Sequence, residues 1–70
     1  MKKLIKDLEV NDIFLSKHVT KGSEIFVRLL WKEKEDNDKY TLCMVHIDSA
    51  NKVPFKRINI NGNEEVEVIK

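Results

Sequence analysis

Residues 24–31 read EIFVRLLW, residues 33–38 read EKEDND, and residues 40–47 read YTLCMVHI. The first and third segments are rich in the aromatic, aliphatic and β-branched residues typical of strands, whereas the second is highly charged. We therefore interpret residues 24–47 as a β-hairpin whose charged segment is an exposed loop. Both arms are apolar on both faces, which predicts either strands whose two faces are both covered by other parts of the protein or strands that curve within a small barrel.

Three further strands are predicted around this hairpin. Together with the two arms, the five strands are residues 13–19, 24–32, 40–47, 52–60 and 64–70. Turns are predicted between them at residues 20–23, 48–51 and 61–63. The last of these contains Asn61-Gly62, a strong signal for a tight hairpin turn.

Two segments have mixed patterns. In residues 52–60, Val53 and Phe55 share one face while Ile58 and Ile60 share the other, which predicts a β-bulge near Lys56-Arg57 and, at Pro54, an edge strand. Residues 4–10 combine helical and strand spacing, so they form either a turn of helix or an extended lead-in.

The chain length and the strand count bound the architecture. Seventy residues allow one domain, over residues 1–70, with a marginal core of its own. Five short strands joined by tight turns predict an all-β fold: a small five-stranded antiparallel barrel with a short N-terminal lead-in. An N-terminal helix packed on an open meander is the alternative.

Both ends of the chain resemble a known kind of barrel. Residues 8–14, LEVNDIF, resemble the Leu-x-Val-Gly-Asp-x-Phe opening of small SH3-like barrels of Gram-positive bacteria and their phages, with Asn11 in place of the usual glycine. Residues 65–69, EVEVI, are similar to the closing strand. The start is also similar to the first strand of OB-fold nucleic-acid modules, so the barrel is SH3-like or OB-like. The resemblance implies a phage- or mobile-element-encoded protein but no single activity.

The charge balance excludes several classes of function. Basic residues number 13 and acidic residues 12, for a net charge of +1. A protein that wraps DNA would be strongly basic, and an acidic DNA mimic would be strongly negative. The sequence also lacks an apolar run of signal-peptide or membrane-span length, so we expect a cytoplasmic protein.

Catalytic and metal chemistry have little support in the sequence. His18 and His46 are the two histidines, and no neighbouring residues give them the spacing of a metal motif. Cys43 is the single cysteine, which forms no internal disulfide, and it is three residues from His46, so the two side chains point to opposite faces of a strand. We therefore expect no enzyme, no metal and no cofactor.

Two binding functions remain open. Basic side chains are interleaved with aromatic rings at Arg28, Trp31, Phe55, Lys56 and Arg57, a pattern that suits single-stranded nucleic acid. The opposing interpretation places Trp31 and Phe55 in the core and leaves the cations as ordinary surface.

The second function is protein binding. Two strands that are apolar on both faces exceed the needs of one small core, which suggests that another protein or a second copy covers one face. The acidic loop, with Glu35, Asp36 and Asp38, is either a recognition loop or a simple hairpin tip. We expect a small non-enzymatic interaction protein, alone or as a homodimer, that binds and modulates a protein target; a single-stranded nucleic-acid-binding barrel is the alternative.

Overall fold

A computed structural model describes residues 1–17, 24–47 and 53–69. Within these ranges the chain is all-β, as predicted. The strands are β1 (Lys2–Leu4), β2 (Ile13–Lys17), β3 (Glu24–Lys34), β4 (Lys39–His46), β5 (Phe55–Asn61) and β6 (Glu65–Glu67), and two 3₁₀ helices cover Ile5–Asp7 and Asp36–Asp38. The predicted turns at residues 20–23 and 48–51 lie outside the described residues, as do His18 and Lys52. In the described part of the chain, no helix is long and apolar enough to cross a membrane.

The strands form two antiparallel sheets. One contains β2, β3, β4 and β5 in chain order, and the other pairs β1 with β6. The sheets meet where Phe14 bridges Val68 and where the Ile69 N–H donates to the Ile13 carbonyl at 2.9 Å. The two sheets are not closed into a barrel. The predicted all-β class is therefore confirmed, whereas the five-stranded SH3-like or OB-like barrel is not.

The N-terminal lead-in is both extended and helical, because β1 runs directly into the first 3₁₀ helix. Its backbone is held by the turn that precedes β6: the Ile5 N–H donates to the Glu64 carbonyl at 2.9 Å, and the Lys6 N–H donates to the Gly62 carbonyl at 3.0 Å. Ile5 and Leu8 are buried in the core. The lead-in is thus an integral part of the fold.

The turn between the lead-in and β2 is built by the residues of the LEVNDIF segment. The Asp12 N–H donates to the Glu9 carbonyl at 3.0 Å, and Asn11 between them has a φ of 78°, as a type II turn requires of its third residue. The Asp12 carboxylate accepts hydrogen bonds from the Glu9 N–H at 2.9 Å and from the Lys3 ammonium at 3.0 Å. Burial raises the pKa of Asp12, but these two donors outweigh it and the pKa lies below its ordinary value.

One face of the four-stranded sheet, with the lead-in and the C-terminal residues, encloses a single core. The buried members are Ile5, Leu8, Phe14, Val27, Leu29, Tyr40, Leu42, Met44, Ile60 and Val68. On β3 and β4 they alternate along each strand, as expected for residues on one face of a sheet. This face is called the inner face below.

A β-bulge in β3 determines which side chains after Leu29 project to the inner face and which to the opposite face. The strand ends at Lys34 rather than at Lys32, and its register with β4 shifts between Leu29 and Trp31. Val27 and Leu29 are fully buried on the inner face. Because Leu30 is an extra residue in the strand, Trp31 is turned to the opposite face.

A second bulge lies in β5, two residues after the predicted position. Tyr40 pairs with Ile60 and Leu42 pairs with Arg57, so Ile58 and Asn59 together oppose the single residue Thr41, and the bulge lies there rather than at Lys56 and Arg57. Asn59 has a φ of 61°. The prediction that Ile58 and Ile60 share a face is wrong, because Ile60 is buried while Ile58 is 71% exposed.

Candidate outer-face interaction site

The outer face of the four-stranded sheet carries a second set of apolar side chains. Residues that are paired directly across two antiparallel strands project to the same face, so the register identifies the members. We name the apolar and cationic members the outer patch: Ile13, Leu15, Phe26, Arg28, Trp31, Val45 and Lys56, with Ile47, which follows β4 and donates its N–H to the Phe26 carbonyl. The same face also carries Cys43, Thr41, Glu24 and Glu33. None of these residues belongs to the core cluster.

The two aromatic members of the outer patch are exposed. The side chain of Phe26 is 37% exposed and that of Trp31 is 41% exposed. Leu15 pairs with Phe26 across β2 and β3, and on the β4 side the Ile47 N–H donates to the Phe26 carbonyl at 3.3 Å. Both aliphatic neighbours are only partly buried. Phe26 is therefore the centre of an apolar row that crosses three strands.

The next row toward the hairpin tip contains Arg28. It pairs with Ile13 on one side and with Val45 on the other, both apolar and partly buried. Arg28 itself is exposed. A guanidinium is thus placed between two aliphatic side chains in the middle of the outer patch.

The third row contains Trp31, Cys43 and Lys56, on β3, β4 and β5 respectively. The Lys56 ammonium lies 5.9 Å from the centre of the Trp31 ring, within the range of a cation–π contact. Cys43 between them is only 7% exposed. Cys43 is therefore a covered thiol beneath the two larger side chains.

The predicted nucleic-acid site is divided between the two faces of the sheet. Arg28, Trp31 and Lys56 lie together on the outer face. Phe55 pairs with Met44 on the inner face and packs against the core, and its ring centre is 6.0 Å from that of His46. Three of the five predicted residues are therefore brought together by the fold.

Arg57 also lies on the inner side, where its guanidinium donates to the Ser16 hydroxyl at 3.1 Å. Ser16 is 5% exposed. The structure does not bring Arg57 together with Arg28, Trp31 and Lys56, because Arg57 pairs with Leu42, an inner-face residue.

The predicted protein-binding residues form a compact hairpin tip. Glu35, Asp36 and Asp38 are exposed, and Asp36–Asp38 is a 3₁₀ helix. The Glu35 carboxylate accepts a hydrogen bond from the Thr41 hydroxyl, and the Asp38 carboxylate lies 3.5 Å from the Lys34 ammonium. Two of the three carboxylates are thus engaged in local contacts that hold the turn.

Two depressions lie on the surface. One, of 620 Å³, is an open hollow beside the hairpin tip that reaches Asn59. The other, of 160 Å³, lies between β2 and β6, where it is lined by Ser16, Arg57 and several glutamates and touches the outer patch at Leu15. The latter is smaller than the about 300 Å³ at which small-molecule sites begin.

Sequence reasoning missed Phe26 and its apolar neighbours on the outer face. The signal was present, since Phe26 and Arg28 alternate with the buried Val27 and Leu29. Only the face of Trp31 depended on the bulge at Leu30, which alternation alone does not reveal.

Comparisons with protein-family models, with curated proteins and with solved structures found no match to this chain. Among the residues that the structure describes, no group of three or more histidine, cysteine, aspartate or glutamate side chains is placed to hold a metal ion.

Proposed function

We propose that this protein is a small, non-enzymatic interaction module that binds a protein target through the outer patch. One observation carries the proposal: Phe26 and Trp31 stay exposed on a sheet face that also carries the four aliphatic side chains of the outer patch. Contiguous exposed apolar surface on a soluble protein is typical of an interaction site. The core on the inner face already has its own set of buried residues, so the outer patch is available for a partner.

The composition of the outer patch favours a protein interface. Tryptophan and arginine are enriched among the residues that dominate binding energies, and Trp31 and Arg28 lie in adjacent rows. Ile13 and Val45 flank Arg28, and the Lys56 ammonium lies 5.9 Å from the Trp31 ring centre, so the patch combines arginine with the aromatic side chains that are enriched in protein interfaces.

Affinity capture with matched variants tests the proposal. Trp31→Ala removes an exposed ring from the outer patch, whereas Val10→Ala removes a more exposed apolar side chain from the turn before β2. We expect a protein that the wild type and Val10→Ala retain and Trp31→Ala loses, and that binds directly when both purified proteins are mixed. Retention of every partner by Trp31→Ala would overturn the proposal.

Single-stranded nucleic acid is the second candidate because the Lys56 ammonium lies over the Trp31 ring with Arg28 one row away. Such a ligand would stack bases on the rings and place phosphates on the cations. Arg28→Glu/Lys56→Glu would then abolish binding of a mixed oligonucleotide, and wild-type affinity would fall steeply with salt. Lys2→Glu/Lys6→Glu makes the same change of net charge away from the patch and serves as the control.

We also propose that the strands follow an SH3-like order, in which the two sheets join edge to edge. The Phe14–Val68 bridge at one seam and the hydrogen bonds of Ile5 and Lys6 at the other support this order. Nuclear Overhauser contacts and hydrogen-bond couplings across both seams test it. Their absence at either seam would leave two separate sheets.

A further inference from the structure

We infer that the partner of the outer patch is an apolar protein segment that carries carboxylates, and this inference rests on the proposed function. The charged members of the outer patch are both cations, Arg28 and Lys56, whereas the two glutamates of the same face, Glu24 and Glu33, lie toward the two ends of β3. A partner that covers the apolar rows must also meet these two charges, because a buried unpaired charge is costly.

The two cations are not neutralised within the described part of the chain. Neither Arg28 nor Lys56 has a carboxylate oxygen within 4.0 Å there. By contrast, the Lys3 ammonium lies 3.0 Å from Asp12, and Lys34 lies 3.5 Å from Asp38. The cations of the outer patch are thus open to carboxylates from outside.

A second copy of this chain is disfavoured on the outer patch in a face-to-face arrangement centred on Arg28. Two-fold packing centred on the apolar rows would bring Arg28 of one copy toward Arg28 of the other. Like charges opposed across an interface disfavour association. A foreign partner with carboxylates satisfies both cations without this repulsion.

Nucleic acid fits less well because carboxylates lie along the same strand. Glu33 follows Trp31 by two residues, pairs with Thr41 and is exposed on the outer face, and the exposed Glu24 precedes Phe26 at the other end of β3. A phosphate backbone that follows β3 would pass both carboxylates. A protein segment can place its carboxylates at the cations alone.

The register gives the spacing that the partner must match. Arg28 pairs with Val45 on β4, and Lys56 pairs with Cys43, two residues away on the same strand. The two cations are therefore separated by two residues along the strand direction and by two strand spacings across the sheet. At about 3.4 Å per residue and about 4.8 Å per strand, their Cα atoms lie about 12 Å apart. An extended segment covers this distance in three to four residues, with apolar side chains between the two carboxylates to contact Trp31.

Selection from a library of random linear peptides tests the inference. We expect the wild type to enrich peptides in which two carboxylates flank aromatic or aliphatic residues. Arg28→Glu/Lys56→Glu should bind these peptides at least tenfold more weakly and should instead enrich peptides with lysine or arginine. Lys2→Glu/Lys6→Glu should select as the wild type does, and thermal unfolding should show that all variants are folded.

The outcomes separate this inference from the proposed function. The inference would be overturned if the selected peptides require Trp31 but show no preference for carboxylates, or if they bind Arg28→Glu/Lys56→Glu as tightly as the wild type. Either result would leave the protein-binding function in place. Absence of any peptide that depends on Trp31 would overturn both. If the wild type binds poly-deoxythymidine and Trp31→Ala does not, the partner is nucleic acid rather than a protein segment. If light scattering shows self-association that is lost in Trp31→Ala, the partner is a second copy of this chain.

Discussion

Replacing Gly62 with alanine should destabilise the protein for lack of space. A Cβ atom at this position would lie 2.6 Å from Cε1 of Tyr40 and 3.1 Å from the Asp38 carbonyl oxygen. The φ of Gly62 is outside the left-handed region, so its backbone conformation is open to other residues. Tyr40 is a core residue at 9% exposure, and the Lys32 ammonium lies 5.6 Å from its ring centre, so the ring has little room to move.

The expected loss can be estimated from these contacts. Overpacking of a filled site typically costs about 1–3 kcal/mol. Replacement of glycine by alanine recovers about 0.4–1 kcal/mol by restricting the unfolded chain. We therefore expect Gly62→Ala to lower the free energy of unfolding by about 1–2 kcal/mol, which corresponds to a fall in Tm of about 5–15 °C for a domain of this size.

Urea and thermal unfolding of four proteins measure the effect: wild type, Gly62→Ala, Tyr40→Leu and the double variant. Because leucine lacks the ring edge that meets the new Cβ, Gly62→Ala should cost at least 1 kcal/mol less in the Tyr40→Leu background, as estimated from a double-mutant cycle. Asn63→Ala, at the next and exposed turn position, is the control and should be near neutral. A wild-type Tm for Gly62→Ala, or an equal penalty in both backgrounds, would refute the reasoning.

Three further changes test other parts of the fold. Asn11→Ala should lower the free energy of unfolding by about 1 kcal/mol while Asn11→Gly causes no loss, because the positive φ is strained for alanine; equal stability in urea unfolding would contradict this. Because the pKa of Asp12 is lowered in the folded state, its ionised carboxylate stabilises the fold above the unfolded pKa of about 3.9, and this stabilisation is lost as pH falls through the folded pKa. The Tm difference between wild type and Asp12→Asn at pH 7 should therefore become smaller by pH 3. A Tm difference that is the same at both pH values would contradict this expectation. Leu29→Ala, at a fully buried position, should cost about 2–5 kcal/mol in the same assay, and a loss below about 1 kcal/mol would place Leu29 outside the core.

The sequence predicted the hairpin of β3 and β4 because its signals are local. Residues 24–31 and 40–47 have strong strand composition, and residues 33–38 between them are charged. The Asn61-Gly62 turn was predicted for the same reason, and the Glu64 N–H donates to the Asn61 carbonyl at 3.1 Å. The close approach of Tyr40 to Gly62 depends on tertiary packing and was not readable from the dipeptide.

The faces of β3 and β5 were harder to predict because each strand contains a bulge. Strict alternation would place Trp31 on the face of Val27 and Leu29, and the extra residue Leu30 reverses this. The Ile58–Asn59 bulge reverses the assignment of Ile60 in the same way. A single inserted residue changes no local composition, so the candidate site could be predicted only in part.

Under the proposed function, the bulge at Leu30 also separates the core from the binding surface along one strand. Residues before it alternate between core and outer patch, and Trp31 after it adds a large ring to the outer patch without enlarging the core. If the bulge instead served only to relieve strain in a long strand, a small polar residue would fit position 31 equally well. An exposed tryptophan beneath a lysine ammonium is better explained by a partner that covers both.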